Sequence, residues 1–422
     1  MIYNESKYNT SWETQKLSDL GVFSRGVSKH RPRNDPRLFT GGGYPLVQTG
    51  EIKEANLFIL KHTQEYGEFG LQQSRLWDAG TLCITIAANI AETAILSYPM
   101  CFPDSVVGFQ ANKAVSSEMF MYYVFDYIRT AIQGAATGSA QDNINIEYLT
   151  SLEFKIPCKE YQDKIVGIIS LLDRMILKNE QINDNLQQQL RLLYDYWFTQ
   201  FDFPDENGKP YRSSGGQMVW NDQLKKYIPK SWHCALLRDV LKQAGSGINN
   251  VKGKEHLFYT PVDIIPQRTI SFAGGLDALE ANSSLQLYEK DDILLGAMRV
   301  YFHRVCIAAQ NGITRTTTMI LKPVNGEDHL GYAYSVLNDD RTILYANRNS
   351  SGTQQPYINW NDALEKYPFA APDDQKLMLK YSQLVRPLIK EAQTRSLENC
   401  QLQKLRDWLL PMLMNGQATI ND

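Results

Sequence analysis

Between residues 160 and 198, apolar side chains recur every three to four positions, at Ile168, Leu172, Met175, Ile182, Leu186, Leu190, Leu193 and Trp197. Asn179 fills the one polar slot, and neither Pro nor Gly interrupts the run after Gly167. That spacing predicts a long amphipathic helix with a coiled-coil seam, in which a polar Asn specifies register at some cost in stability. A second stripe runs along Asp373–Leu413 through Leu377, Tyr381, Leu384, Leu388, Leu402, Leu405 and Leu409. Its middle is polar (Glu391, Arg395, Glu398), and Pro387 inside it predicts a kink or the start of a shorter helix. Pro411 and Gly416 are expected to end it. Neither stripe can stay exposed on a lone helix, so the two helices are expected to pack together. A globular segment lies between them, which favours an antiparallel pair.

The remaining segments read differently. Runs such as Thr81–Ile86, Thr93–Leu96, Ile293–Leu295 and Thr316–Leu321 are strand-like. Met119–Ile132 has helical spacing through Phe120, Tyr123, Val124, Tyr127 and Ile128. Residues 1–157 and 231–372 are therefore two mixed α+β globular units, with long helices at 158–199 and 373–415. Residues 200–230 form a turn-rich connector.

These segments repeat. Gly138–Asn145 reads GSAQDNIN, and 214 residues later Gly352–Asn359 reads GTQQPYIN. Before each box stands a Trp (Trp12, Trp232), and after it an entry proline (Pro157, Pro372) and a long helix. The fold expected is a pseudo-two-fold repeat, two globular domains joined by an antiparallel coiled coil. A helix of ~35 residues is ~50 Å long at 1.5 Å per residue.

Composition narrows the chemistry. The chain of 422 residues carries a net charge of −3, which argues against gripping nucleic acid through bulk charge alone. Charge is nonetheless zoned: Arg25, Lys29, Arg31, Arg33 and Arg37 face only Asp35 between residues 22 and 37. In the other half Arg299, Arg304, Arg315 and Lys322 lie in an acid-free stretch from Ile293 to Gly326. No apolar run of eighteen residues and no signal-peptide core is present, and the six cysteines are dispersed, so a cytoplasmic location off the membrane is expected. Nucleotide-binding glycine loops, an Asn/Asp-Pro-Pro-Tyr/Phe methyltransferase signature and metal-spaced histidines are all absent. The residues alone imply a two-headed binding or scaffold protein and not an enzyme.

The order of boxes, helices and connector resembles the specificity subunit of type I restriction–modification systems. The connector Gln200–Tyr211 (QFDFPDENGKPY), then Ser213-Ser-Gly-Gly216 and Ile228-Pro-Lys-Ser-Trp232, is similar to the central region of such subunits. The resemblance implies a non-catalytic chain whose two target-recognition domains each read half of a bipartite, asymmetric site in double-stranded DNA. Its helices would set the spacing and dock two modification (methyltransferase) subunits, with restriction/translocase subunits joining through the complex. S-adenosylmethionine, ATP and Mg would sit on those partners, and this chain would bind no cofactor or metal. The competing expectation is a protein-binding scaffold, or a decayed specificity subunit, that binds partners without reading DNA.

Base readout needs side chains that can form hydrogen bonds at a groove edge. The first-unit candidates are Arg25, Lys29, Arg31, Arg33, Gln72 and Arg75, with Ser139 and Gln141 in the box. The second-unit candidates are Arg299, Tyr301, His303, Arg304, Arg315 and Thr316, with Thr353 and Gln355 in the box. On the helices, Leu172, Asn179, Ile182, Leu186, Leu193, Leu384, Leu402 and Leu409 are expected in the seam. Tyr194, Tyr196, Trp197, Phe198 and Trp408 are expected either in the core or in a patch that docks a partner.

Overall fold

A computed structural model describes residues 2–87, 89–137 and 144–420, which divide into two compact units, Met1–Leu177 with Leu402–Asp422, and Lys178–Gln401. In the first unit a five-stranded sheet has the order Gly21–Arg25, Val106–Ala111, Leu82–Thr85, Thr93–Leu96, Phe58–Ile59. Every neighbouring pair is antiparallel except the last. The second unit has the order Leu241–Gln243, Thr318–Pro323, Ile293–Gly296, Val305–Ala308, Ser271–Phe272, again with only the last pair parallel. The duplication seen in the motifs is thus a duplication of sheet topology. The central strands Leu82–Thr85 and Ile293–Gly296 are buried at every position, which is why they read as continuous runs and not as alternation.

Each unit also carries a two-stranded ladder that joins its start to its end. Glu13–Lys16 pairs with Glu153–Ile156, and Trp232–Leu236 pairs with Pro368–Pro372. The units differ in their second sheet. In the first it has four strands, in the order Gln64–Tyr66, Tyr44–Leu46, Met100–Cys101, Leu76–Trp77. In the second it has five, in the order Ser246–Ile248, Leu285–Tyr288, Gly312–Arg315, Phe258–Tyr259, Leu276–Asp277. The helix Glu118–Thr137 covers the first unit's main sheet and buries Phe120, Tyr123, Val124 and Ile128 of the expected stripe, with Tyr127 half-buried. Two shorter helices, Leu330–Leu337 and Asp340–Arg348, lie in the second unit.

The first long helix runs Lys159–Tyr194 and continues through a π-helical turn, Asp195–Thr199. The second runs Gln375–Met414 without a break. Pro387 therefore does not start a shorter helix. It lies on the exposed face, as does Gln383, whose carbonyl loses the N–H that proline lacks and can turn to water. Pro411 lies within the last turn, and Gly416, at φ +77°, follows its end. Within each unit the contacts between these helices run antiparallel. In the first, Asp173 meets Arg406 and Tyr161 meets Ala418 and Ile420. In the second, Asn179 meets Asn399, and Tyr194 and Trp197 meet Tyr381.

The seam differs in phase from the sequence expectation. Ile165, Ile169 and Ile176 are buried, whereas Ile168 and Met175 are each more than a third exposed. The segment Ile168–Leu172 is apolar on two faces, so spacing alone does not fix its phase. Asp173, buried between Ile169 and Ile176, does. On the second helix Met378, Tyr381, Val385, Ile389 and Ala392 form the buried stripe, and Leu384 is exposed beside Val385. Leu402 is buried and Leu409 half-buried, while Leu405 faces solvent. Leu172, Ile182, Leu186 and Leu193 are half-buried, and Asn179 is buried. The Asn179 amide donates to Glu398 Oε2 (3.0 Å) and Asn399 Oδ1 (2.8 Å). Tyr194, Trp197 and Phe198 belong to the second unit's core, whereas Tyr196 and Trp408 are exposed.

In the connector, Phe203 stacks between Tyr211 and Trp232, and Asp202 accepts from both the N–H and the hydroxyl of Ser213. No helix among the described residues is long and apolar enough to cross a membrane.

Candidate nucleic-acid interface

In the first unit the basic loop is placed by a glycine. Gly26 follows the strand Gly21–Arg25 and donates its N–H to Val106 O (2.8 Å). A Cβ there would lie 2.2 Å from Pro103 O and 2.6 Å from Phe102 O, both backbone atoms, so only glycine allows the close approach. The loop that follows is therefore held against the Pro103–Ser105 turn. Three arginines converge on that turn. Arg25 Nε donates to Asp104 O (2.7 Å), while Arg31 Nη2 and Arg33 Nη2 reach the two Asp104 carboxylate oxygens at 3.3 and 2.5 Å.

The second group of first-unit candidates joins the same edge. Lys29 N–H donates to Gln73 O (3.0 Å) and Ser74 Oγ to Val27 O (2.9 Å). Gln72 is exposed at the end of the helix Glu68–Gln72, and the Arg75 guanidinium lies 3.8 Å from the Trp77 ring centroid. Arg37 is differently engaged. With His30 it holds Asp35, and its hydrogen bonds push that carboxyl well below the usual carboxylate range, with His30 adding to the effect. Ser139 and Gln141, with the rest of Gly138–Asn143, lie outside the described residues. From that box Ile144 is buried, and Asn145 caps the helix Ile146–Ser151 by accepting the Tyr148 N–H (2.8 Å).

In the second unit the box is described in full. Ser351 and Tyr357 exchange backbone hydrogen bonds (2.9 and 2.8 Å) and close a loop that begins at Gly352, φ +96°. Thr353, Gln354 and Gln355 are exposed at its tip, and Ile358 is fully buried with its N–H on Ala297 O. Arg299 donates its N–H to Pro356 O (2.7 Å) and its Nη2 to Gln354 O (3.3 Å). From the other side Tyr357 Oη donates to Thr316 O (3.0 Å). The box is thus hydrogen-bonded both to the loop that carries Arg299 and Tyr301 and to the turn that carries Arg315 and Thr316.

The Arg299 loop is conformationally tight. Arg299 and His303 both have left-handed backbones (φ 51° and 53°), each costing roughly 1–2 kcal/mol for a non-glycine residue. Burial offsets this: Val300 and His303 are interior, and His303 Nε2 meets Asn338 Oδ1 at 2.9 Å. Burial, helped by nearby Arg268, lowers the His303 pKa. His303 is therefore an anchor beneath the loop, whereas Tyr301 and Phe302 project from it with ring centroids 4.8 Å apart. Arg304 is turned inward, donating Nη1 to Ile265 O, and Lys322 pairs with Glu289 and Asp292. Arg315 donates Nη2 to Ser283 Oγ (3.3 Å).

The structure thus brings Arg299, Tyr301, Arg315, Thr316, Thr353 and Gln355 into one neighbourhood and directs Arg304 away from it. Sequence reading missed Asp104, Ser283, Phe302 and Gln354. Of these only Gln354 carried a signal, since it lies inside the repeated box. Among the described residues no group of three His, Cys, Asp or Glu could hold a metal ion.

Residues 9–188 match the family model described as the type I restriction modification DNA specificity domain. That segment is similar to the domain this family model describes. Over 99% of its length the chain is also 22% identical to the type I restriction enzyme MjaIX specificity subunit of Methanocaldococcus jannaschii, covering 95% of that protein. A stretch of 59 residues, 14% of this chain and 13% of the relative, is 44% identical to the HindI specificity subunit of Haemophilus influenzae. Among solved structures, the type I restriction–modification S subunit from M. genitalium superposes with a TM-score of 0.57 at 16% identity, covering 100% of both chains. The whole chain therefore resembles a type I specificity subunit in sequence and shares its fold.

Proposed function

We propose that this chain is the non-catalytic DNA sequence-recognition subunit of a type I restriction–modification complex. Each target-recognition domain (residues 1–157 and 231–372) reads one half of an asymmetric, bipartite site. The helices at 158–199 and 373–415 set the spacing and dock two modification subunits. S-adenosylmethionine, ATP and Mg act on the partner subunits, restriction/translocase subunits join through the complex, and the complex works in the cytoplasm.

The observation that carries this reading is the second-unit edge. There a box like that of type I specificity subunits is hydrogen-bonded to two loops that carry the half-buried Arg299 and Arg315 beside the exposed Tyr301 and Thr316. Arginine forks and Gln or Thr side chains are the groups that read base edges, while backbone N–H and hydroxyl groups hold phosphate. Sharing phosphate contacts with the modification subunits reconciles the net charge of −3 with duplex binding. The different second sheets of the two units support two different half-sites. Tyr196 and Trp408 are exposed near the ends of the two long helices and are available to a docking partner, aromatic residues being enriched at interface cores.

The test is to purify the chain with its cognate modification subunits and map methylated positions in genomic DNA. One bipartite sequence, methylated only when this chain is present, is the expected result. An unchanged methylation pattern without the chain overturns the proposal and leaves a scaffold that binds partners alone.

A further inference from the structure

The first-unit edge holds an acidic residue where a phosphate-gripping surface has no use for one. Asp104 lies in the turn between the strands Met100–Cys101 and Val106–Ala111, and its carboxylate takes one Nη of Arg31 and one of Arg33. Both arginine side chains are about half exposed and Asp104 about a third exposed, so the cluster lies at the surface. Arg31 is further fixed by donating Nη1 to Ser28 O and His30 O, and Arg25 by donating Nε to Asp104 O. The turn is itself fixed by the Gly26 approach. Each guanidinium is thus held by at least one of these contacts and keeps N–H groups that the contacts do not use.

Two physical consequences follow for DNA. A guanidinium already paired with a carboxylate is a poorer partner for phosphate, because the approaching anion meets the Asp104 charge as well. Its remaining N–H groups still suit neutral acceptors such as the O6 and N7 of guanine, which carry no charge to be repelled. Fixing the fork also removes rotamer freedom that Arg would otherwise lose on binding. Asp104 thus weakens contact with any duplex while sparing contact with the right bases.

We propose that Asp104 is a specificity-determining positioning residue, which withholds Arg31 and Arg33 from phosphate and aims them at base edges of the first half-site. This rests on the reading of the chain as a DNA-recognition subunit.

The test uses the complex with its modification subunits, the mapped site on a short duplex, and a scrambled duplex of equal length. Asp104→Asn keeps the shape and an acceptor for Arg33 but removes the charge. It is expected to tighten binding to the scrambled duplex by about tenfold at low salt. It is also expected to steepen the dependence of log K on log salt by about 1–2, as the freed arginines find phosphates. Methylation should spread to sequences altered in the first half-site only, and Asp104→Glu should restore the parental behaviour. Unchanged scrambled-duplex affinity and salt slope, or equal loss of both duplexes in a variant with parental thermal stability, overturns the inference. If the parental complex shows no preference for its mapped site, the underlying DNA-recognition reading falls, and the role of Asp104 with it.

Discussion

Arg406→Met should unfold the first unit at neutral pH far more readily than its conservative appearance suggests. The Arg406 guanidinium bridges two carboxylates, with Nε 2.6 Å from Asp173 Oδ1 and Nη2 2.5 Å from Asp126 Oδ2. The Asp173 side chain is only 1% exposed, and among the described residues its other side-chain donor is the Tyr123 hydroxyl at 2.7 Å. Asp126 keeps Arg129 at 2.8 Å, so most of the loss falls on Asp173. Removing one partner of a buried pair costs about 3–5 kcal/mol, and methionine retains most of the packing, so a loss of about 3 kcal/mol is expected at pH 7.5.

The pH dependence carries the sharper test. Burial already raises the Asp173 pKa despite Arg406, and without the arginine it must rise further. The folded variant then binds a proton that the unfolded chain, near pKa 3.9, does not, so its relative stability grows as pH falls from 7.5 toward 5. Urea unfolding followed by hydrogen exchange in Glu118–Thr137, at pH 7.5 and 5.5, measures both quantities. Adding Asp173→Asn should recover most of the loss. A penalty below about 1 kcal/mol at pH 7.5, or one that is the same at pH 5.5, would refute the assignment of the cost to an uncompensated buried carboxylate.

Other outcomes are expected elsewhere in the chain. Arg315→Ala should relax recognition at the second half-site by about 1–3 kcal/mol and leave the first half-site intact in a methylation map. Equal weakening on unrelated sequences would make it a phosphate contact. Gly26→Ala, which sets a Cβ against two backbone carbonyls, should lower first-unit stability by more than about 1 kcal/mol and abolish first half-site recognition, read by thermal melting and duplex binding. His303 has a lowered folded pKa, so the unfolded state binds its proton first, and the second unit should lose stability as pH falls below about 6.5. His303→Gln should flatten that slope in urea titrations from pH 7.5 to 5.

What could be read from the chain was whatever is encoded locally. Glycine and Ile–Asn positions at a constant offset marked the repeat, and three-to-four spacing marked the helices. The phase of the seam was hidden, because Ile168 and Ile169 are equally apolar and only the pairing of Asp173 with Arg406, distant in sequence, chooses between them. Leu384 and Val385 pose the same ambiguity, and there the β-branched residue is the buried one. The second sheets were illegible for a different reason: their strands are mostly two to four residues long and exist through tertiary pairing, beyond the reach of propensity. The arginine cluster was visible as charge, but its organiser was not. Asp104 reaches it only because Gly21–Arg25 pairs with Val106–Ala111.

The two-stranded ladders bear on how such a chain can change. Because Glu13 lies opposite Ile156 and Trp232 opposite Pro372, each module opens and closes at adjacent points of the backbone. Three residues past each closing strand, at Lys159 and Gln375, a long helix begins. Everything between the two strands of a ladder is therefore a cassette with its ends side by side. An insertion, a deletion or a foreign insert of the same topology can replace it while the helix start stays where it was. A new recognition surface then requires only a new cassette, with the start of each long helix left in place.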